Sequence, residues 1–270
     1  MSANETQKQA SLKLSLAWVR PLTDLAITLL LWAYFTVGFV VFFAPFYLLA
    51  FIFAFDRPAA FQRLNSCFYR GFFFLCRLLI TRQKWDISPE VRSIRSSVIV
   101  SNHLSYLDSI LLISFFPRHT TIAKARLFDI PLFGRMLALS GYIPSSGAGP
   151  YSALLVNSLD TISSLLEKGG NIVVFPEGTR SRDGQVAPLH KGIFKIAKYC
   201  QAPIQVVGIQ NTEKLFEPGK FLFNTRRPHT IRVTRIAQLT PDYTSGAFSV
   251  KELIRQVGKL LDEHAARETM

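Results

Sequence analysis

The stretch Ser101-Asn-His-Leu-Ser-Tyr-Leu-Asp108 sets an imidazole and a carboxylate five positions apart. On one continuous helix five residues turn through about 500°, which leaves two side chains about 140° apart around the axis. His103 and Asp108 can therefore meet only if His103 sits in the turn ahead of a helix. Ser105, three residues before Asp108, is a candidate N-cap for that helix, and Asp108 then points back at the imidazole. A carboxylate that accepts from one ring nitrogen fixes the tautomer and leaves the other nitrogen as a base. No Gly-x-Ser-x-Gly elbow is present, so the base would act directly on a substrate hydroxyl, with no covalent enzyme intermediate. Alone, the pair is a weak signal and reads more readily as a histidine satisfied by local capping bonds. A second cluster is Val174-Phe-Pro-Glu-Gly-Thr-Arg-Ser181. Arg180 offers a bidentate fork to a phosphate or carboxylate. Glu177 could bond an acceptor hydroxyl or hold Arg180. The bland alternative is a structural turn with a local salt bridge.

Both clusters need a frame. Short apolar runs at Ser97–Ser101, Thr120–Ala123, Asn171–Phe175 and Pro203–Ile209 predict strands. His229–Ile236 alternates like an exposed or edge strand. Helical patterns fall between them at Asp108–Phe115, Pro131–Leu139, Tyr151–Leu166, Ile193–Cys200 and Val250–Ala265. Strands alternating with helices predict an α/β fold, a mostly parallel sheet with flanking helices. His103 then leaves one strand and Glu177 leaves another, and open α/β sheets place their sites at strand ends.

The N-terminal third is different. Leu25 to Phe55 contains no charged residue and would measure about 46 Å as a straight helix. A membrane span needs about 20 residues, so the run is long for one upright span and short for two. It is also longer than the apolar core of about 7–15 residues in a secretion signal. Pro45 interrupts it. Lys8, Lys13 and Arg20 precede it, and Arg57, Arg63, Arg70, Arg77, Arg82 and Lys84 follow. Basic flanks on both sides satisfy the positive-inside rule if both lie on one face of the membrane. The expected form is an anchor that enters and leaves on the same side, with a single tilted span as the alternative. Arg63, Arg70, Arg77 and Lys84 recur every seven residues, opposite a face of Phe61, Leu64, Phe68, Phe72, Leu75 and Leu79. That is an amphipathic basic helix suited to a headgroup surface, or else a core helix with a solvated basic face. The predicted division is a membrane anchor over 1–85 and an α/β domain over 86–270.

The chain is 49% hydrophobic and 18% charged, with 31 Lys+Arg against 18 Asp+Glu, a net charge of +13. This excludes a disordered chain and points to an anionic membrane surface or a phosphorylated substrate ahead of nucleic acid. Cys67, Cys76 and Cys200 form no disulfide framework and lack zinc-ligand spacing. They read as reduced and mostly buried thiols.

Taken together, Asn-His-x4-Asp followed by Phe-Pro-Glu-Gly-Thr-Arg resembles the glycerolipid acyltransferase family, the 1-acyl-glycerol-3-phosphate acyltransferases. The resemblance covers about Ser97 to Asn211. Lys124-Ala-Arg-Leu127 with Gly134 is similar to the family's second block, Leu189-His-Lys-Gly192 to the segment after the third, and Ala202-Pro203-Ile204 to the fourth. It implies transfer of a fatty acyl group from acyl-CoA or acyl carrier protein to a lysolipid hydroxyl, first 1-acyl-glycerol-3-phosphate, at the cytoplasmic face of a membrane. It implies His103 as general base and Asp108 as its orienting carboxylate. It also implies Glu177, Gly178, Thr179 and Arg180 as the acceptor-binding block, with Lys124 and Lys191 adding positive charge. No metal or cofactor is expected, because a thioester already carries a good leaving group. One departure stands out. The second block usually ends in an arginine, and that position falls near Gly147. No Lys or Arg occurs between Arg135 and Lys168. Arg126, Arg135 or Lys191 could supply the missing charge, or the acceptor could be a lyso-aminolipid, a lysoglycolipid, another lysophospholipid or glycerol-3-phosphate.

Overall fold

The structure is a computed structural model, and it describes residues 22–145, 152–178, 180 and 187–266. The described residues open with a long apolar helix, α1 (Leu22–Phe53). By length and composition it could cross a membrane. Its middle, Tyr34–Phe43, is wound as a π-helix, and the Ala44 N–H reaches back to the Phe39 carbonyl. The wide turns end just before Pro45. A proline has no N–H to donate and its ring crowds the preceding turn, and the widened register absorbs that defect without breaking the helix. Phe55 is bare, and Asp56 then caps α2 (Arg57–Leu79) by accepting the Ala59 N–H at 3.1 Å.

The helix α2 runs back along α1. Tyr34 stacks on Phe68 with ring centroids 4.9 Å apart, Phe35 meets Phe72 at 4.6 Å, and Tyr47 packs against Phe61 at 5.1 Å. The remaining elements alternate: β1 (Gln83–Ile87), α3 (Pro89–Ser93), β2 (Val98–Ser101), α4 (Leu107–Phe115), β3 (His119–Ala123), α5 (Phe133–Leu139), β4 (Ile143–Pro144), α6 (Ser152–Glu167), β5 (Asn171–Val174), α7 (Lys191–Tyr199), β6 (Ile204–Gln210), α8 (Thr212–Leu215), β7 (His229–Leu239) and α9 (Val250–Ala266). The strands form one sheet in the order β1-β7-β6-β2-β5-β3-β4. Every pairing is parallel except β6 with β7.

Alternation splits the sheet into two apolar faces. Ile99 and Val173 point toward α2 and α4, where Phe72, Phe73, Leu111 and Leu112 bury them. Val98, Val100, Ile172 and Val174 point the other way, onto Ile162 of α6, Phe194 of α7 and Val257 of α9. In β7 the pairing register skips Ile236, so Val233 faces the first layer and Ala237 and Leu239 face the second. One extra residue lets a single strand serve both cores.

Three expectations shift. The α/β fold with a mostly parallel sheet is present, but β7 is not an edge. It lies between β1 and β6, and the short, charged β1 takes the exposed border, as edge strands commonly do. The apolar face of α2 is covered by protein, with α1 on one side and the sheet layer on the other. Its exposed positions carry Arg63, Arg70 and Arg77, together with Cys67, Phe74 and Leu78. The boundary expected at 85/86 falls inside β1. Of the cysteines, Cys76 is buried, Cys200 half-buried and Cys67 exposed.

Candidate active site

The two sequence clusters meet at one end of the sheet. β2 and β5 are adjacent and parallel. The chain leaves β2 toward α4 on one face and leaves β5 toward α7 on the other. Adjacent strands whose connections part to opposite faces open a crevice at their carboxyl ends. His103 and Glu177 stand in the two loops that flank it.

The turn holding His103 is built by its neighbours. Asn102 Nδ2 donates to the Ile209 carbonyl at 2.8 Å, and Asn102 Oδ1 accepts the Ile209 N–H at 2.8 Å. This side-chain amide continues the β2–β6 ladder, so the backbone is free to turn. Asp108, fully buried, heads α4. Its Oδ2 accepts the N–H groups of Leu104 at 2.6 Å and Ser105 at 2.7 Å, and meets His103 Nδ1 at 3.0 Å. The turn ahead of the helix is as expected, but Ser105 is not its N-cap: Tyr106 holds that position with no side-chain capping bond, and the Ser105 hydroxyl donates instead to the Phe216 carbonyl at 2.9 Å. With Nδ1–H given to the carboxylate, Nε2 carries the lone pair, and no described residue bonds it. The Phe175 ring lies 4.4 Å from the imidazole and walls it on one side.

Glu177 is nearly buried and both its oxygens are occupied. Oε1 accepts the His103 N–H and Oε2 the Ala187 N–H, each at 3.1 Å. Burial raises its carboxyl above the usual carboxylate range, opposed by these two backbone donors and by the imidazole. Glu177 thus braces the loop after β2 against the loop after β5. Gly178 follows at φ +67°, and a Cβ there would come within 2.9 Å of His190 Nε2, so only glycine fits this turn. The Arg180 guanidinium lies over the Tyr106 ring, 3.4 Å from its centroid, and its Nη1 is buried with no hydrogen-bond partner among the described residues. A buried, unpartnered guanidinium nitrogen is suited to receive an anionic oxygen.

The structure thus brings His103, Asp108, Glu177, Gly178 and Arg180 together. Lys124 is exposed just past β3, on the same sheet edge and two strands from β2, or about 10 Å at ~4.8 Å per strand. Lys191 is exposed at the start of α7. It follows His190, whose N–H bonds the Pro176 carbonyl at 2.8 Å. Arg126 and Arg135 are exposed beyond β3 and on α5. Thr179 and Gly147 lie outside the described residues. Sequence reading passed over the bracket made by Asn102, and over Thr212, whose hydroxyl donates to Asp108 Oδ1. One signal for Thr212 was available: it follows a strand that pairs with β2, so it must emerge beside the β2 turn.

Residues 86–210 match the Acyltransferase family model. The resemblance read from the motifs is borne out over this stretch. A chloroplastic 1-acyl-sn-glycerol-3-phosphate acyltransferase of Brassica napus is 36% identical over 122 residues, which is 45% of this chain and 35% of that protein. An Arabidopsis thaliana chloroplastic enzyme of the same name is 34% identical over 123 residues, covering 46% of this chain and 34% of its own length. The chain thus spans about a third of the length of these two relatives. The crystal structure of the 1-acyl-sn-glycerophosphate acyltransferase of Thermotoga maritima superposes with a TM-score of 0.71 at 24% identity, over 93% of this chain and 98% of that one. At that identity the likeness is one of fold.

Proposed function

We propose that the protein is a membrane-bound O-acyltransferase that moves a fatty acyl group from acyl-CoA or acyl carrier protein to a lysolipid hydroxyl, first 1-acyl-glycerol-3-phosphate, giving phosphatidic acid. The observation that carries this is the His103–Asp108 pair at the carboxyl end of the sheet, with no described residue bonding Nε2 and the buried Arg180 guanidinium lying over Tyr106 of the same turn. His103 Nε2 takes the proton of the acceptor hydroxyl as its oxygen attacks the thioester carbonyl. The new C–O bond forms, the C–S bond breaks, and the proton passes from the imidazolium to the departing thiolate. Asp108 holds the imidazole and stabilises its charge while it carries the proton. Arg180 receives the acceptor phosphate, with Lys124 and Lys191 adding positive charge. Glu177 acts as the brace that keeps the base in place.

The membrane role belongs to α1. Its outer face exposes Leu29, Leu30, Val37, Val41, Phe42, Leu48, Leu49 and Ile52, and a contiguous apolar face of this kind marks a lipid or protein contact. Two ties support an arrangement on one leaflet. Near its start, Thr28 Oγ1 accepts the Phe223 N–H at 3.0 Å, and near its end Tyr47 donates to Asn65 Oδ1 at 2.5 Å. A helix whose two ends are fastened to the same α/β unit cannot carry one end across a bilayer.

The test is acyl transfer by the purified full chain with labelled acyl-CoA or acyl carrier protein and a panel of lysolipids. Transfer to lysophosphatidate supports the reading. Preference for a lyso-aminolipid or lysoglycolipid would reassign the acceptor, in line with the missing base between Arg135 and Lys168. Absence of transfer from both donors would sink it.

A further inference from the structure

The segment after β6 lies outside every block that the sequence singled out for chemistry, yet it touches the base pair directly. Resting on the acyltransferase reading, we propose that Thr212 is a positioning residue for His103 and Asp108, and that α1 sets its place through the strap 212–225. Asp108 is fully buried and its Oδ2 is crowded by His103, Leu104 and Ser105. Among the described residues Thr212, itself 1% exposed, is what reaches Oδ1. Three donors on one oxygen leave the carboxylate free to rock about them. The fourth, on the other oxygen, fixes its plane and with it the line from Oδ2 to the imidazole.

From Thr212 the contacts continue without a gap. The Phe216 carbonyl accepts the Ser105 hydroxyl at 2.9 Å, so the strap grips the His103–Asp108 turn a second time. The Asn224 N–H closes the loop on the Leu215 carbonyl at 2.8 Å. Phe216 stacks on Phe223 at 4.6 Å, and Trp32 of α1 lies 6.2, 6.1 and 6.4 Å from Phe216, Phe221 and Phe223. The Phe223 N–H bonds Thr28, and the Thr225 hydroxyl bonds Asp24. One end of the strap is fastened to the carboxylate and the other to the apolar helix. A helix seated in lipid would therefore hold the pair square, and a loosened one would not.

The test uses the full chain in vesicles with lysophosphatidate and labelled acyl donor. Thr212→Val keeps the shape and removes the hydroxyl. It is expected to lower kcat about 10- to 100-fold, the range of a lost bond to a charged group, with KM changed less than about threefold. Thr212→Ser restores the donor and should return kcat to within about threefold of wild type. Trp32→Ala should lower kcat about 3- to 10-fold with vesicle flotation unchanged. The double variant Trp32→Ala/Thr212→Val should lose no more than about twice what Thr212→Val loses, because both act through one carboxylate. Valine within about twofold of wild type, serine no better than valine, or multiplicative losses in the double variant would overturn the proposal. If the valine variant does not fold, Trp32→Ala decides: an unchanged kcat overturns the link and a kcat-only loss supports it. A wild type inactive with lysophosphatidate and with every other lysolipid of the panel refutes the acyltransferase reading itself, whereas an active wild type with an unaffected Thr212→Val refutes only this proposal.

Discussion

At the scale of single residues, the crevice separates a group that does chemistry from groups that hold it. His103 is expected to be indispensable. His103→Ala should lower acyl transfer about 10²- to 10⁴-fold, the usual span for a lost general base, with vesicle flotation unchanged. Activity close to wild type would remove the base assignment. Glu177 calls for a different expectation. Both its oxygens already accept backbone N–H groups, and an amide in its place has a single acceptor oxygen. Glu177→Gln leaves one of those N–H groups against an NH₂, which costs about 1–3 kcal/mol. Thermal unfolding should show a lower Tm and kinetics a lower kcat, with KM for the acceptor nearly unmoved. A KM effect alone would mean that Glu177 contacts the acceptor. Much of this was legible in the residues. The spacing of His103 and Asp108 requires a turn before a helix, and that turn is present. The bracing role of Glu177 was not legible, because its partner His103 lies on another strand's loop, and a linear motif cannot show which polar groups a fold will press together.

Among the elements, the joint between α2 and the outer strands is polar and fully buried. Gln62 Nε2 donates to the Ser140 carbonyl at 3.0 Å, and Asn65 Nδ2 donates to Ser140 Oγ at 2.9 Å and to the Tyr142 hydroxyl at 3.0 Å. His119, at the start of β3, meets the Phe116 carbonyl through Nδ1 at 2.7 Å and the Tyr142 hydroxyl through Nε2 at 2.6 Å. The carbonyl can only accept, so Nδ1 carries the proton and Nε2 accepts from the tyrosine. Burial holds this imidazole neutral and lowers its pKa from 6.5 to about 4. The unfolded chain takes up a proton near pH 6.5 that the native state refuses until about pH 4. The joint's contribution is therefore complete above about pH 6.5 and drains away as pH falls toward 4, by about 3 kcal/mol. Urea unfolding at pH 7 and pH 4.5 should show that loss in wild type and a smaller one in His119→Gln. Equal losses would exclude His119 as the source. The same region shows where pattern reading stops. Four strands stood out as short apolar runs and a fifth by its alternation, but β1 reads Gln-Lys-Trp-Asp-Ile and is a strand only because β7 lies beside it. The 3–4 spacing in α2 marked an apolar face truly, but periodicity does not say whether lipid or protein will cover it.

Across the whole molecule, α1 is tied at both ends and bare along its outer face. For the one-leaflet arrangement, cysteines introduced at Leu22 and at Ser88 should be modified by an impermeant reagent from the same side of sealed vesicles. Modification from opposite sides would establish a crossing. The ties also impose an order of events during synthesis. Thr28 finds its partner Phe223 only 195 residues later, and at ~5–20 residues per second the ribosome takes about 10–40 s to deliver it. For that interval the first of the described helices to emerge, and the most apolar of them, has no strap to rest against. The sheet is no sooner complete, since β1 waits for β7. A nascent chain of this protein therefore spends its first half-minute or so as a hydrophobic helix without a home, and the membrane surface it is proposed to use in adulthood would also serve as its nursery.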